Sequence, residues 1–284
     1  MCLIPVFRNL RIDFDSHSHD QIKMFKNRAE YIENELGLWA VDYYVSKCTD
    51  RFLLGKEEAH SILEVLEDDE RVYLRNKIRR IRVPQTVELR VSETSAITSK
   101  LQVLIDFLSG EEVIGFTGLI FVKTRAEVAV ISHLLSIHPR TRKFGTGTFV
   151  GSSSFAGRKY KIAELVEVRN QKTTLDDLRE GRTNLVITTN ALEEGIDVVS
   201  CNVVICFDKP HNLRSFIQRR GRARDPTSRY VLLHEYGTDT QASAEWQLLE
   251  RDMREAYQDR SRELEKYEAV EEDDDRVFAI ESTG

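Results

Sequence analysis

A chain of 284 residues, 41% hydrophobic and 31% charged, has the make-up of a globular protein and room for one full domain and a smaller one. The formal net charge is −6, but residues 263–284 carry nine acids against Lys266 and Arg276, a net −7, which leaves +1 for residues 1–262. The acidic total therefore does not exclude an anionic partner, because a local basic patch decides that. No run of about 18 apolar residues occurs, so no membrane-spanning helix is expected. The opening Met1-Cys2-Leu3-Ile4-Pro5-Val6-Phe7-Arg8 is too short and wrongly ordered for a signal peptide. Cys2, Cys48, Cys201 and Cys206 show no CxxC spacing. They read as free thiols of a reducing, intracellular compartment, the cytoplasm or the nucleus.

The first ~90 residues follow a helical period. Ile22, Phe25, Ala29, Ile32, Leu36, Trp39 and Tyr43 keep a 3-4 spacing, and a second stripe runs through Ile62, Leu66, Tyr73, Leu74, Ile78 and Ile81 to a stop at Pro84. From about residue 97 helices alternate with short apolar strands, the pattern of a parallel α/β sheet. A helix through Ile97, Leu101, Leu104 and Leu108 ends at Gly110 and is followed by the strand Leu119–Val122. Thr124-Arg125-Ala126-Glu127 is a capping box that opens the next helix. Phe149-Val150 reads as a strand before a Gly/Ser loop at 151–157, and a helix starts at Thr173 or Thr174 and ends at Gly181. Leu185–Thr188, Val203–Phe207 and Tyr230–Leu233 are further strands, apolar enough to be buried on both faces. Beyond Gly237 a charged helical stretch runs to about residue 266 with Trp246, Leu249, Met253 and Tyr257 as its seam, and the acidic run Glu271–Asp275 is a solvated linker.

In an open parallel sheet, ligands meet the loops at the carboxyl ends of the strands. Three such loops carry polar or charged residues: Lys123-Thr124-Arg125, Thr188-Thr189-Asn190 leading into Glu193-Glu194-Gly195-Ile196-Asp197, and Asp208-Lys209-Pro210-His211. The last feeds Gln218-Arg219-Arg220-Gly221-Arg222-Ala223-Arg224, four arginines around one glycine, inside a stretch (208–230) with seven basic and two acidic residues. Arginine stays charged in a protein and its planar fork matches phosphate oxygens two at a time, so the cluster calls for an anionic partner.

These residues, in this order, resemble the C-terminal RecA-like lobe of superfamily 2 helicases. The arginine run matches motif VI, Thr188–Asp197 matches motif V, and Phe121–Arg125 matches motif IV. Ile205-Cys206-Phe207-Asp208-Lys209-Pro210 followed by Ser215-Phe216-Ile217-Gln218 is similar to the helicase region of Dicer proteins, fungal Dicer-like ones most of all. Tyr31–Ala40 is similar to the helical insertion domain of that group. The resemblance implies an α/β fold: a helical insertion domain over 1–92, a RecA-like parallel sheet over 93–237, a pincer-like helical arm over 238–266, and, over 267–284, an acidic linker and the start of a Dicer dimerisation domain.

It also implies roles. Gln218, Arg222 and Arg224 would face the γ-phosphate of ATP as the catalytic set; Gly195, Asp197, Arg219 and Arg220 would lie beside the nucleotide, with one of Arg219 and Arg220 instead anchoring the loop. Lys123, Thr124, Arg125, Thr188 and Thr189 would grip the backbone of double-stranded RNA, a contact that fixes phosphates without reading bases. Thr188-Thr189-Asn190 departs from the commoner Ala-Thr pair of the family.

No GxxxxGK[ST] occurs, since Gly55-Lys56 has Asp50 where the first glycine should be and Glu57 after the lysine, and Asp69-Glu70-Arg71-Val72 is not a DExH box. The phosphate cradle and the carboxylates for Mg2+ would belong to an N-terminal RecA-like lobe, the implied partner besides RNA. No ATPase or nuclease activity is expected from these residues alone, and the implied role is in RNA silencing. The alternative is a catalytically inert fragment that holds RNA or a partner. The histidines, with His133 and His138 five apart, suit no zinc motif, so no metal site is expected. Gly151-Ser152-Ser153-Ser154 lacks the second glycine of a nucleophile elbow.

Overall fold

The computed structural model describes residues 17–54, 66–81, 96–151, 171–193, 196, 198–224, 227–233, 246, 248, 249, 251, 252 and 255. The chain divides into two compact units, residues 1–210 with 218–235, and residues 211–217 with 236–284.

In the first unit, α1 (His17–Leu36), α2 (Leu38–Leu53) and α3 (Asp68–Arg79) bury the stripes that the sequence lays out: Ile22, Phe25, Ala29, Ile32 and Leu36 on α1, Leu74 and Ile78 on α3. The first stripe is not one helix, however. Gly37 breaks it at φ 100 and ψ −178, a region that essentially only glycine occupies. The same glycine admits the incoming chain: a Cβ there would stand 2.7 Å from Ala96 O and 2.7 Å from Ile97 Cα. Thr98 uses that approach, donating its N–H to Leu36 O (3.2 Å) and its hydroxyl to Glu35 O (2.8 Å). These carbonyls, orphaned at the end of α1, are thereby satisfied. The Thr98 side chain in turn caps α4 (Ser99–Ser109).

The sheet follows: β1 (Gly118–Phe121), α5 (Arg125–Ile137), β2 (Thr146–Phe149), α6 (Gln171–Arg179), β3 (Leu185–Thr188), β4 (Val203–Cys206), α7 (Leu213–Arg220) and β5 (Arg229–Leu232). All pairings are parallel and the order is β2-β3-β1-β4-β5. Alternation divides the side chains between two cores. Ile120, Ile187 and Ile205 join α1, α2, α4 and α5, whereas Leu119, Phe121, Val186, Val204 and Cys206 join Leu178 of α6. Helices cover both faces, as strands buried on both sides require.

β2 begins three residues before the Phe149 that announced it, because Thr146-Gly147-Thr148 is too polar to show as a strand. Gly147 is required there, with methyl carbons of Thr174 and Thr183 each 2.9 Å from any added Cβ. α6 begins at Gln171 rather than at Thr173 or Thr174, and the Thr174 hydroxyl donates to Thr148 O (2.9 Å), tying helix to strand instead of capping. Cys48, Cys201 and Cys206 are free and buried. Cys2 and Ile62 lie outside the described residues, as do residues 152–157 of the Gly/Ser loop and Pro84.

In the second unit the Asn212 side chain accepts from the Ser215 N–H (2.9 Å), and the Phe216 and Trp246 rings meet tilted at 5.7 Å. Leu249, expected in a buried seam, is 48% exposed. Met253, Tyr257, the run Glu271–Asp275 and residues 276–284 lie outside the described residues.

Candidate functional site

With β1 at the centre of the sheet and Phe121 in register with both Thr188 and Cys206, the loops that leave β3, β1 and β4 stand side by side at one edge. Lys123 is exposed there, its backbone N–H donating to Asp208 Oδ2 (2.7 Å) and its ammonium lying 5.6 Å from the Tyr31 ring centroid. Thr124 forms the capping box of α5: its hydroxyl accepts from Glu127 N–H (3.2 Å) and its own N–H donates to Glu127 Oε2 (2.6 Å). Arg125 is half-buried and donates from Nη1 to Gly151 O (3.0 Å), linking the loop after β1 to the end of β2. Thr188 is fully buried, its hydroxyl donating to Thr189 O (3.0 Å), and Thr189 is buried too. In this arrangement Lys123 faces outward, Arg125 is half-buried against Gly151 O, and the Thr188 hydroxyl belongs to the core.

The arginine cluster is divided in the same way. Arg219, 2% exposed, donates from Nε to Glu193 Oε1 (2.7 Å) and from Nη1 to Asp208 O (2.9 Å), with its guanidinium 4.9 Å from the Phe121 ring centroid. Of Arg219 and Arg220, it is Arg219 that anchors the loop. Arg222, also buried, donates to Ile196 O (2.7 Å) and Glu193 O (3.1 Å), so it braces the loop that leaves β3. Gln218 and Arg220 are half-buried and Arg224 is exposed. Gly195 and Asp197 lie outside the described residues, flanking the braced Ile196. Beside the cluster, burial pushes the Cys201 thiol up to about 12 against the pull of Arg222 and Arg224, so it is no nucleophile.

Behind Lys123 lies a buried polar network that the motifs do not announce. Tyr31 Oη donates to Glu127 Oε1 (2.9 Å), and Lys100 Nζ bridges Glu35 Oε2 (3.3 Å) and Asp208 Oδ1 (3.1 Å). Carboxylate oxygens of Glu35, Glu127 and Asp208 lie within 4.8 Å of one another. The spacing would suit a cation, and Lys100 supplies one. Burial alone would lower its ammonium, but Asp208 and Glu35 more than offset that and hold it above the ordinary lysine range. Burial first, and the nearby Asp208 charge second, push the Glu127 carboxyl up to about 8. Glu127 had a local signal as the last residue of the capping box, and Asp208 as the first polar residue of the loop after β4. Tyr31 and Glu35 of α1, Lys100 of α4 and Asp208 come together from three distant stretches, so no spacing in the sequence joins the set.

The helicase conserved C-terminal domain family matches residues 99–225, a span that runs from the start of α4 to just beyond the arginine cluster. Dicer-like protein 2 of Aspergillus oryzae is 42% identical over 272 residues, 94% of this chain and 20% of that protein. Dicer-like protein 2 of Emericella nidulans is 41% identical over 275 residues, 95% of this chain and 19% of that protein. The chain thus spans about a fifth of the length of the curated relatives it matches. Among solved structures, the helicase domain of Pyrococcus furiosus Hef is 21% identical with a TM-score of 0.42, covering 81% of this chain and 44% of that one. With strands β1 to β4, the loops meeting at the sheet edge and the arginine run all inside the matched span, residues 99–225 are a helicase conserved C-terminal domain, and over 94% of its length the chain is similar to one fifth of a fungal Dicer-like protein.

Proposed function

We propose that this chain is the C-terminal half of an ATP-dependent Dicer-like RNA helicase, acting in RNA silencing. It binds the backbone of double-stranded RNA at the strand ends and completes an ATP site whose phosphate cradle and Mg2+ carboxylates stand on a complementary N-terminal lobe. The observation that carries this reading is the meeting of three loops at one sheet edge, with Arg219 and Arg222 clamping the loop after β3 from behind while Arg224 stays exposed.

The residues present fit one side of a triphosphate: an exposed arginine, half-buried Gln218 and Arg220, and a loop fixed through Glu193 and Ile196. ATP would bring the γ-phosphoryl group to be transferred to water. Arg224, with Gln218, stabilises the charge that develops on it, while Arg222 serves the site indirectly by bracing Ile196, the residue between Gly195 and Asp197 in the sequence. On the RNA side, Lys123 and Arg125 neutralise phosphates. Thr124, Thr188 and Thr189 shape the loops that carry these side chains, since their hydroxyls are spent on caps and backbone or buried. Contacts of this kind read shape and backbone, so affinity should be independent of base sequence.

Titrating two duplexes of unrelated sequence at several salt concentrations tests the RNA reading. Equal affinities are expected, and Lys123→Ala should flatten the salt dependence by about one counterion. A loss that depends on base sequence, or an unchanged salt slope, would move the groove elsewhere.

A further inference from the structure

Tyr31 and Glu35 sit four residues apart on α1, hence on one face of it. From each an arm of polar contacts runs to the loop after β1. In the first, Tyr31 Oη donates to Glu127 Oε1 (2.9 Å) and Glu127 Oε2 accepts the Thr124 N–H (2.6 Å). In the second, Glu35 Oε2 accepts from Lys100 (3.3 Å), Lys100 donates to Asp208 Oδ1 (3.1 Å), and Asp208 Oδ2 accepts the Lys123 N–H (2.7 Å). Two consecutive backbone amides are therefore each held by an acidic side chain, Glu127 or Asp208, that is itself tied to α1. The Lys123 side chain closes the figure by lying over the Tyr31 ring.

We propose that Tyr31 and Glu35 are positioning residues for the Lys123–Arg125 loop, so that α1 sets where Lys123 meets a phosphate of the RNA. The proposal rests on the reading of Lys123 as a phosphate contact. Its physical basis is preorganisation. A free lysine side chain has large rotamer freedom to lose on binding. An ammonium already seated on an aromatic face, above a backbone whose amides are fixed, loses less. Glu127 is fully buried and Lys100 and Asp208 are mostly so, and in such low-dielectric surroundings each hydrogen bond of the arms is stronger than it would be in water.

Two measurements on the 284-residue chain test this. Amide hydrogen exchange at Lys123 and Thr124, followed by NMR, reads the arms without RNA. Tyr31→Phe should speed exchange at Thr124, and Glu35→Gln at Lys123, each by roughly tenfold. Unchanged exchange at both amides overturns the proposal. A cycle of duplex-RNA affinities reads the ring: Tyr31→Leu should weaken binding by about three- to tenfold and should add nothing in the Lys123→Ala background. An undiminished loss in that background overturns the proposal, because Tyr31 would then act other than through Lys123. Should Lys123→Ala itself leave affinity unchanged, the phosphate reading falls, and the exchange result alone decides whether α1 positions the loop. Tyr31→Phe keeps the ring and the packing, so the test survives a Tyr31→Leu chain that fails to fold.

Discussion

Arg219 donates to Glu193 at 2.7 Å with only 2% and 9% of the two side chains exposed, and the same guanidinium reaches Asp208 O and lies over Phe121. A charge buried this deeply is tolerated because each face of it has a partner. An arginine that the motif alone could assign to phosphate is thereby committed to the protein, joining the loop after β3 to the end of β4.

Removing one member of that pair leaves the other charge buried and alone. Arg219→Ala and Glu193→Ala should each cost about 3–5 kcal/mol in urea unfolding. The double variant should cost less than the sum of the two. Single variants within about 1 kcal/mol of the parent would show that the pair is solvated in solution.

Gly37→Ala should be severe for a backbone reason. Its φ of 100 strains any L side chain, and the added Cβ meets backbone atoms of Ala96 and Ile97 that cannot rotate away. A loss of about 1–3 kcal/mol is expected from the conformation alone, with the 2.7 Å contacts adding to it. Gly110→Ala is the control: its nearest contact would be Phe107 O at 3.5 Å, and the change should stay within about 0.5 kcal/mol. Equal effects in thermal or urea unfolding would contradict the account of the break between α1 and α2.

The Glu127 carboxyl gives a pH dependence with a definite sign. Folding raises it from an ordinary 4.5 to about 8, so the fold favours the protonated form. That stabilisation is full below about pH 4.5 and is lost as the pH rises through about 8. Between about pH 5 and about pH 8.5 the parent Tm should therefore fall relative to that of Glu127→Gln, by at least roughly 2–4 °C, the shift that about 1 kcal/mol makes in a chain of this size. His138, lowered by burial, acts in the opposite sense below its ordinary 6.5. It is common to both proteins, so the difference isolates Glu127. Parallel Tm curves would sink this assignment.

Much of this was legible from local pattern. The periods of α1, α3 and α4, the Thr124–Glu127 capping box that opens α5 and the apolar strands β1, β3 and β4 all carry their signal within a few residues. What stayed hidden depended on distant partners. Gly37 breaks a continuous stripe because residues 96–98 dock against it. The polar strand β2 exists because β3 pairs with it. The division of the arginines into inward Arg219 and Arg222 and outward Arg224 depends on where Glu193, Ile196 and Asp208 lie in space. The network behind Lys123 draws on residues 31, 35, 100, 127 and 208, of which spacing connects only the α1 pair 31 and 35.

We propose that this chain completes an ATP site on another lobe, with Arg224 acting on the triphosphate. The direct measurement is RNA-stimulated ATP hydrolysis by the chain alone and by the chain joined to an N-terminal lobe bearing GxxxxGK[ST] and DExH. The account predicts no turnover alone. It predicts turnover in the joined protein that Arg224→Ala lowers by roughly 10³–10⁵, the range measured for arginine fingers, with RNA affinity held within about threefold. Turnover by the isolated chain, or equal losses of hydrolysis and RNA affinity in Arg224→Ala, would contradict it.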